Sequence, residues 1–182
     1  MAKADFAFWT VIFDRKKKAA NVFGCSICYL LRKGLNLFEP REFSLVSDFL
    51  KRNIALVAHD NKKTDLVEWC DFNKGTLSQH SLYATGGTGV KIAQKTGLNI
   101  SLLKDGSHGG DMEIGALIAN EKMDYLIFFW DPLESLPHDV DVKALLRIAV
   151  LYNVPTACNR ATADLIISSP LFQSGEYKRK KK

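Results

Sequence analysis

Cysteine is scarce, with four in 182 residues. Cys25 and Cys28 form a CxxC, but no second pair stands nearby and no redox-type strand precedes it. A zinc or redox motif is therefore weakly supported. Two small half-buried apolar residues is the stronger reading. Cys70 and Cys158 lie far apart and are expected to be unpaired, a usage that fits a reducing cytoplasm. The four histidines show no HxH or HxxxH spacing, which argues against a metal.

Other absences narrow the function. No apolar run reaches the roughly 20 residues a membrane span needs. Ala19 to Leu31 is apolar behind basic residues, but it lacks a small-residue cleavage site and sits too far in for a signal peptide. No Gly-x-Ser-x-Gly elbow or Cys–His pairing supports a covalent nucleophile. No Walker loop or GxGxxG appears, since no Gly-Lys-Ser/Thr follows the glycine-rich turns. No internal repeat is visible.

What remains is the composition of a globular chain, 47% apolar and 25% charged. Its length suits one domain, or one domain with an appendage. The net charge of +5 comes largely from Arg15–Lys18 and Lys178–Lys182. Such runs are solvated tails, so no nucleic-acid partner is expected.

Residues 1–50 form an extension of unknown role. They hold basic clusters, an apolar patch and "LNLFEPREF", where Pro40 breaks any continuous helix. This segment is either an accessory element or translated sequence upstream of the true start. A short helix is predicted over 44–52. From residue 53 the pattern becomes regular. Strands are predicted over 53–58, 81–85, 100–103, 124–130 and 154–159. Helices are predicted over 62–70, 88–97, 111–122, 139–153 and 161–169, with Gly97 as a C-terminal stop. Apolar strands alternating with helices imply right-handed crossovers and a parallel sheet covered on both faces. A domain over 51–170 and a basic C-terminal tail over 171–182 complete the division.

In such sheets ligands bind beyond the carboxyl ends of the strands. Those ends read Ala58-His59-Asp60, "ATGGTG" (84–89), "KDGSHGGD" (104–111), Trp130-Asp131-Pro132 with "PHDVD" (137–141), and Asn159-Arg160. "TGGTG" offers hydroxyls and bare backbone N–H groups just before a helix, a phosphate cradle. An ordinary glycine-rich turn is the competing reading. Lys63, one helical turn past His59, adds a positive charge. Asp111 opens a helix and reads first as an N-cap. On the same rim as the cradle, it is also a candidate general base. His59 and His138, with Asp60, Asp131 and Asp141, suggest acid–base work. The same set could hold a metal, against which the spacing speaks. Asp139 is a candidate helix cap. His80 and His108 carry no comparable argument.

"IALVAHD", "YATGGTG", "GGD", "LIFFWDPL", "PHDVDVKALLRIA" and "CNRATADLIISSP" resemble the methylglyoxal synthase family, from about Asn53 to Pro170. The resemblance implies an α/β, Rossmann-like three-layer sandwich with a five-stranded parallel sheet. It implies a cytoplasmic, homohexameric lyase that converts dihydroxyacetone phosphate to methylglyoxal and inorganic phosphate, a bypass of glycolysis. It implies that Asp111 removes the proton beside the carbonyl to give an enediolate that expels phosphate. His138 matches the histidine that contacts the carbonyl and hydroxyl oxygens and stabilises the oxyanion. His59 and Lys63 match substrate-binding positions. Thr85, Gly86, Gly87, Thr88 and Gly106 match the phosphate-binding turns. Asp131 and Asp141 match aspartates that hold the histidines and support proton shuttling. No metal or organic cofactor is implied, and phosphate, as product, is a candidate inhibitor.

Three departures stand out. A third threonine is usual where Gly87 stands, so one hydroxyl donor is lost. A serine is usual where Asp105 stands. An acidic side chain beside a phosphate is unfavourable unless it turns away, so only Gly106 of that turn is carried over. The family's C-terminal segment includes an arginine implicated in phosphate handling, where this sequence reads "GEYKRKKK". Two other functions compete with the lyase. One is a non-catalytic regulatory domain binding a phosphorylated effector or nucleotide, because fold alone does not decide function. The other is a triose-phosphate isomerase-like activity, which begins with the same proton abstraction.

Overall fold

The computed structural model describes residues 51–133, 139–174 and 177. The CxxC and His138 lie outside them. So does most of the helix expected over 44–52, and Lys51 and Arg52 themselves precede the first strand without helical structure.

Five strands form one parallel sheet: β1 (Asn53–Ala58), β2 (Ser81–Thr85), β3 (Ile100–Leu103), β4 (Tyr125–Phe129) and β5 (Thr156–Ala157). Their order is β3-β2-β1-β4-β5. The helices between them are α1 (Lys63–Phe72), α2 (Lys74–Leu77), α3 (Gly86–Thr96), α4 (Gly110–Ala119) and α5 (Asp139–Leu151). After β5 come α6 (Arg160–Ser168) and α7 (Pro170–Ser174). The fold is the expected α/β three-layer sandwich.

Alternate residues of the central strands serve opposite cores, which is why β1 and β4 are apolar without a break. Ile54, Leu56 and Ala58 of β1 and Tyr125, Ile127 and Phe129 of β4 face one layer. There they join Leu66 and Trp69 of α1, Ile92 of α3, and Ala163 and Ile167 of α6. Ala55, Val57, Leu126 and Phe128 face the other, with Ile114 and Ile118 of α4 and Val142 and Leu145 of α5. Burial of each large side chain contributes about 1.5–3 kcal/mol. Trp69 is also fixed by polarity, its Nε1–H donating to Asp164 Oδ1 at 2.8 Å and so linking α1 to α6.

Boundaries differ from expectation mainly at element ends. Gly97 closes α3 in the left-handed region, φ 70°, as expected of a glycine stop. Helix α3 starts two residues earlier than predicted, at Gly86, so both glycines lie in its first turn. Only Thr156 and Ala157 pair as β5 within the expected 154–159. Asn159 instead caps α6, its Oδ1 accepting from Thr162 N at 2.9 Å. Pro170–Ser174 forms a short helix whose Phe172 packs edge-on against Tyr125 and His80.

The strand order places the site. The chain runs from β1 outward to β3, then returns to β4 on the other side of β1. The carboxyl ends of β1 and β4 therefore flank the switch point, where a crevice opens in sheets of this kind.

Candidate active site

His59 follows β1 directly, at this switch point. Its backbone N–H donates to Phe129 O at 3.2 Å, and its ring meets Phe128 edge-on at 5.2 Å. The side chain is buried. Asp131, just past β4, donates its backbone N–H to His59 Nδ1 at 3.3 Å. The Asp131 carboxylate accepts from Leu133 N at 3.1 Å and Asn61 Nδ2 at 3.3 Å. The Leu133 bond is the main cause that holds this carboxyl below the usual carboxylate range, helped by Asn61 and the nearby Lys62 and His59. Asn61 was not singled out from the sequence. Its position directly after the His-Asp strand end was the available signal.

Lys63 opens α1 and pairs with Asp60, one turn before it. Hydrogen bonding from Lys63, then its charge, holds the Asp60 carboxyl low. Asp60 is thus the partner of Lys63. Its side chain is 77% exposed, so the pair contributes little to stability. Lys63 Nζ reaches across to the second strand end, where a Cβ at Gly87 would lie 3.2 Å from it.

The glycine-rich turn after β2 is the N-terminus of α3, with Thr85 at the N-cap position. Thr85 and Thr88 are buried, and Thr85 Oγ1 donates to Thr88 Oγ1 at 3.3 Å. Gly86 N donates to Lys104 O at 3.3 Å, which docks the turn after β3 against it. The first-turn amide of Gly87 donates to Asp105 Oδ1 at 2.6 Å. Asp105 does not turn away from the cradle. Its carboxylate bonds the amide expected to serve phosphate, because a helix N-terminus attracts the nearest anion.

Asp111 is not the N-cap. Gly109 holds that position at φ 87°, and Asp111 is the second residue of α4. Its carboxylate faces the turn after β3: a Cβ at Gly106 would lie 3.5 Å from Oδ2 and 3.8 Å from Oδ1. The turn itself is held by Glu113, which accepts from Lys104 N at 3.0 Å, and by Gly110 N donating to Asp105 O at 2.9 Å. Asp141 sits half-buried in the first turn of α5, which starts at Asp139.

Four strand ends thus converge: His59 and Lys63 from the first, Thr85 to Thr88 from the second, Gly106 and Asp111 from the third, and Asp131 from the fourth. The fifth serves structure, with Asn159 as a cap and Arg160 Nη1 3.8 Å from Glu68 Oε2. His80 lies at the opposite edge, accepting from Arg52 N. His108 is exposed beside Ser107.

The five-stranded parallel sheet is shared with a known structure. The MGS-like domain model matches residues 65–158. Methylglyoxal synthase of Hahella chejuensis is 56% identical over 121 residues, 66% of this chain and 79% of that protein. The chain belongs to the methylglyoxal synthase family. The Leptospira interrogans methylglyoxal synthase is 58% identical over 121 residues, covering 66% of this chain and 82% of its own. A solved methylglyoxal synthase from Elizabethkingia anophelis superposes with a TM-score of 0.65 at 48% identity. That match covers 68% of this chain and 82% of the other. The family makes the chain a lyase of methylglyoxal biosynthesis acting on a phosphate-containing substrate. Among the described residues, no helix is long and apolar enough to cross a membrane.

Proposed function

We propose that the crevice converts dihydroxyacetone phosphate to methylglyoxal and inorganic phosphate, with Asp111 as the base. The observation that carries this is the Asp111 carboxylate standing against Gly106, on the rim that α3 shares. A phosphoryl group over the α3 N-terminus and Gly106 brings the carbon beside the carbonyl to Asp111. Asp111 takes that proton, and the electrons pass into an enediolate. The enediolate collapses with cleavage of the carbon–oxygen bond to phosphate, and the enol product tautomerises. Lys63 and the amides of Gly87 and Gly106 hold the phosphoryl oxygens, with the hydroxyls of Thr85 and Thr88, and Gly86 gives them room to approach. His59 and His138 contact the substrate oxygens, and His138 stabilises the oxyanion. Asp131 and Asp141 orient the histidines, the first through its backbone amide to His59.

The catalytic unit spans 51–170, between the 1–50 extension and the 171–182 tail. It works in the cytoplasm as a homohexamer. Exposed Phe72, Leu133 and Val150 supply apolar surface that such an assembly would cover. Light scattering measures that assembly, and a monomeric mass would refute it.

The deciding assay follows methylglyoxal and released phosphate together from dihydroxyacetone phosphate, with Asp111→Asn alongside. Equal appearance of both products is expected. In the variant turnover falls by about 10²–10⁴-fold, the range for a lost general base, while the melting temperature is kept. Absence of turnover, with phosphorylated ligands still raising the melting temperature, would favour a regulatory effector-binding domain.

A further inference from the structure

We infer that Asp105 is a built-in competitor for the phosphoryl group and sets the affinity of the cradle for phosphates. The inference rests on the cradle assigned above. Its first support is position. Asp105 Oδ1 accepts from Gly87 N at 2.6 Å, the short distance of a charge-assisted bond. The same oxygen lies 2.8 Å from where a Cβ at Gly86 would stand and 3.4 Å from that of Gly87. A side chain at Gly86 would displace this carboxylate, whereas the Gly87 distance is an ordinary contact. The carboxylate occupies the place where an anion gains most from the helix N-terminus.

The second support is charge. Lys63 is the cation nearest the same glycine, and it is already paired with Asp60. A phosphate at Gly87 therefore meets the Asp105 carboxylate and an ammonium already paired with Asp60, with Asp111 a further carboxylate at Gly106. Two like unit charges about 4 Å apart weaken binding by roughly fivefold even in water, and by more where water is excluded.

The third support is freedom of movement. The Asp105 backbone is fixed, its carbonyl accepting from His108 N and Gly110 N at 2.9 Å each. Its side chain is exposed. The carboxylate can rotate into solvent without disturbing the turn that carries Gly106 and Asp111. Substrate binding then means exchanging one anion for another at Gly87 N.

The test compares the intact protein with Asp105→Asn and Asp105→Ser. Asn keeps an acceptor of the same length without its charge, and Ser removes the charge and leaves only a shorter hydroxyl. The readouts are KM for dihydroxyacetone phosphate and the inhibition constant of inorganic phosphate. Both constants are expected to fall at least about fivefold in Asp105→Ser, the factor given by one like charge. Asp71→Asn, an exposed carboxylate at the far end of α1, is expected to change neither constant. Improvement in Ser but not Asn still supports competition, for the amide rather than through charge. Unchanged or weaker phosphate binding in both variants would overturn the inference. Calorimetric titration with inorganic phosphate reads the same comparison without turnover. Failure of the lyase assignment is thus separable from failure of this one.

Discussion

The backbone amide of Asp131 donates to Nδ1 of His59 at 3.3 Å, joining the ends of β4 and β1 across 72 residues of chain. With Nδ1 accepting, a neutral His59 carries its proton on Nε2. Nε2–H is then the donor that the proposed site would turn to a substrate oxygen. His59→Asn keeps an acceptor near the Asp131 amide but loses that donor. The variant is expected to fold normally and to raise KM at least about tenfold, the loss typical for a hydrogen bond to a charged group. An unchanged KM would remove His59 from the substrate site.

Gly110 tolerates no side chain. A Cβ there would run into the Lys104 carbonyl oxygen, 2.9 Å from its carbon and 3.0 Å from the carbonyl carbon of Asp105. These are backbone atoms, so no rotamer change relieves the clash. Gly110→Ala is expected to destabilise by about 3 kcal/mol or more, the upper end for overpacking. Urea denaturation measures it, and a loss under about 1 kcal/mol would mean that the turn after β3 yields easily.

Cys70 is fully buried, and burial pushes its thiol up to about 12. Burial also raises Cys158. The thiolate is the reactive form. In the folded protein at pH 8, iodoacetamide is expected to leave Cys70 unmodified by peptide mass spectrometry and to label it after denaturation. Rapid labelling of native Cys70 would show that the core between α1 and the sheet opens readily.

His80 titrates against the fold. Burial, then the Arg52 charge, lowers it from the usual histidine value. The native state therefore favours the neutral ring. Its contribution is full above about pH 6.5, the unfolded value, and is lost as pH falls through the lowered folded value. The melting temperature should drop below pH 6.5. His80→Gln, which keeps an acceptor for Arg52 N, should lessen that drop. An identical pH profile in the variant would assign the drop to other groups.

Much of the fold was legible because the strands are unbroken apolar runs. "NIALVA" and "DYLIFFW" have nowhere to sit but a sheet covered on both faces. β5 was overestimated, since a strand's end depends on what its neighbour offers for pairing. The candidate site was legible as a set of strand ends. Asp111 looked like a helix cap because local preference favours that role. In the structure the turn is made by Gly109 at positive φ, which leaves the carboxylate directed at Gly106.

By itself, then, the sequence determined the sheet, the helices that cover it and the edge where polar residues gather, because burial and periodicity are local patterns. Only the tertiary structure decided which groups meet there. Asp105 and Gly87 are 18 residues apart and belong to different strand ends. Their bond exists because β2 and β3 pair in a register that sets Gly86 against Lys104. That docking brings a carboxylate to the open amides of a helix N-terminus, where electrostatic attraction draws it in.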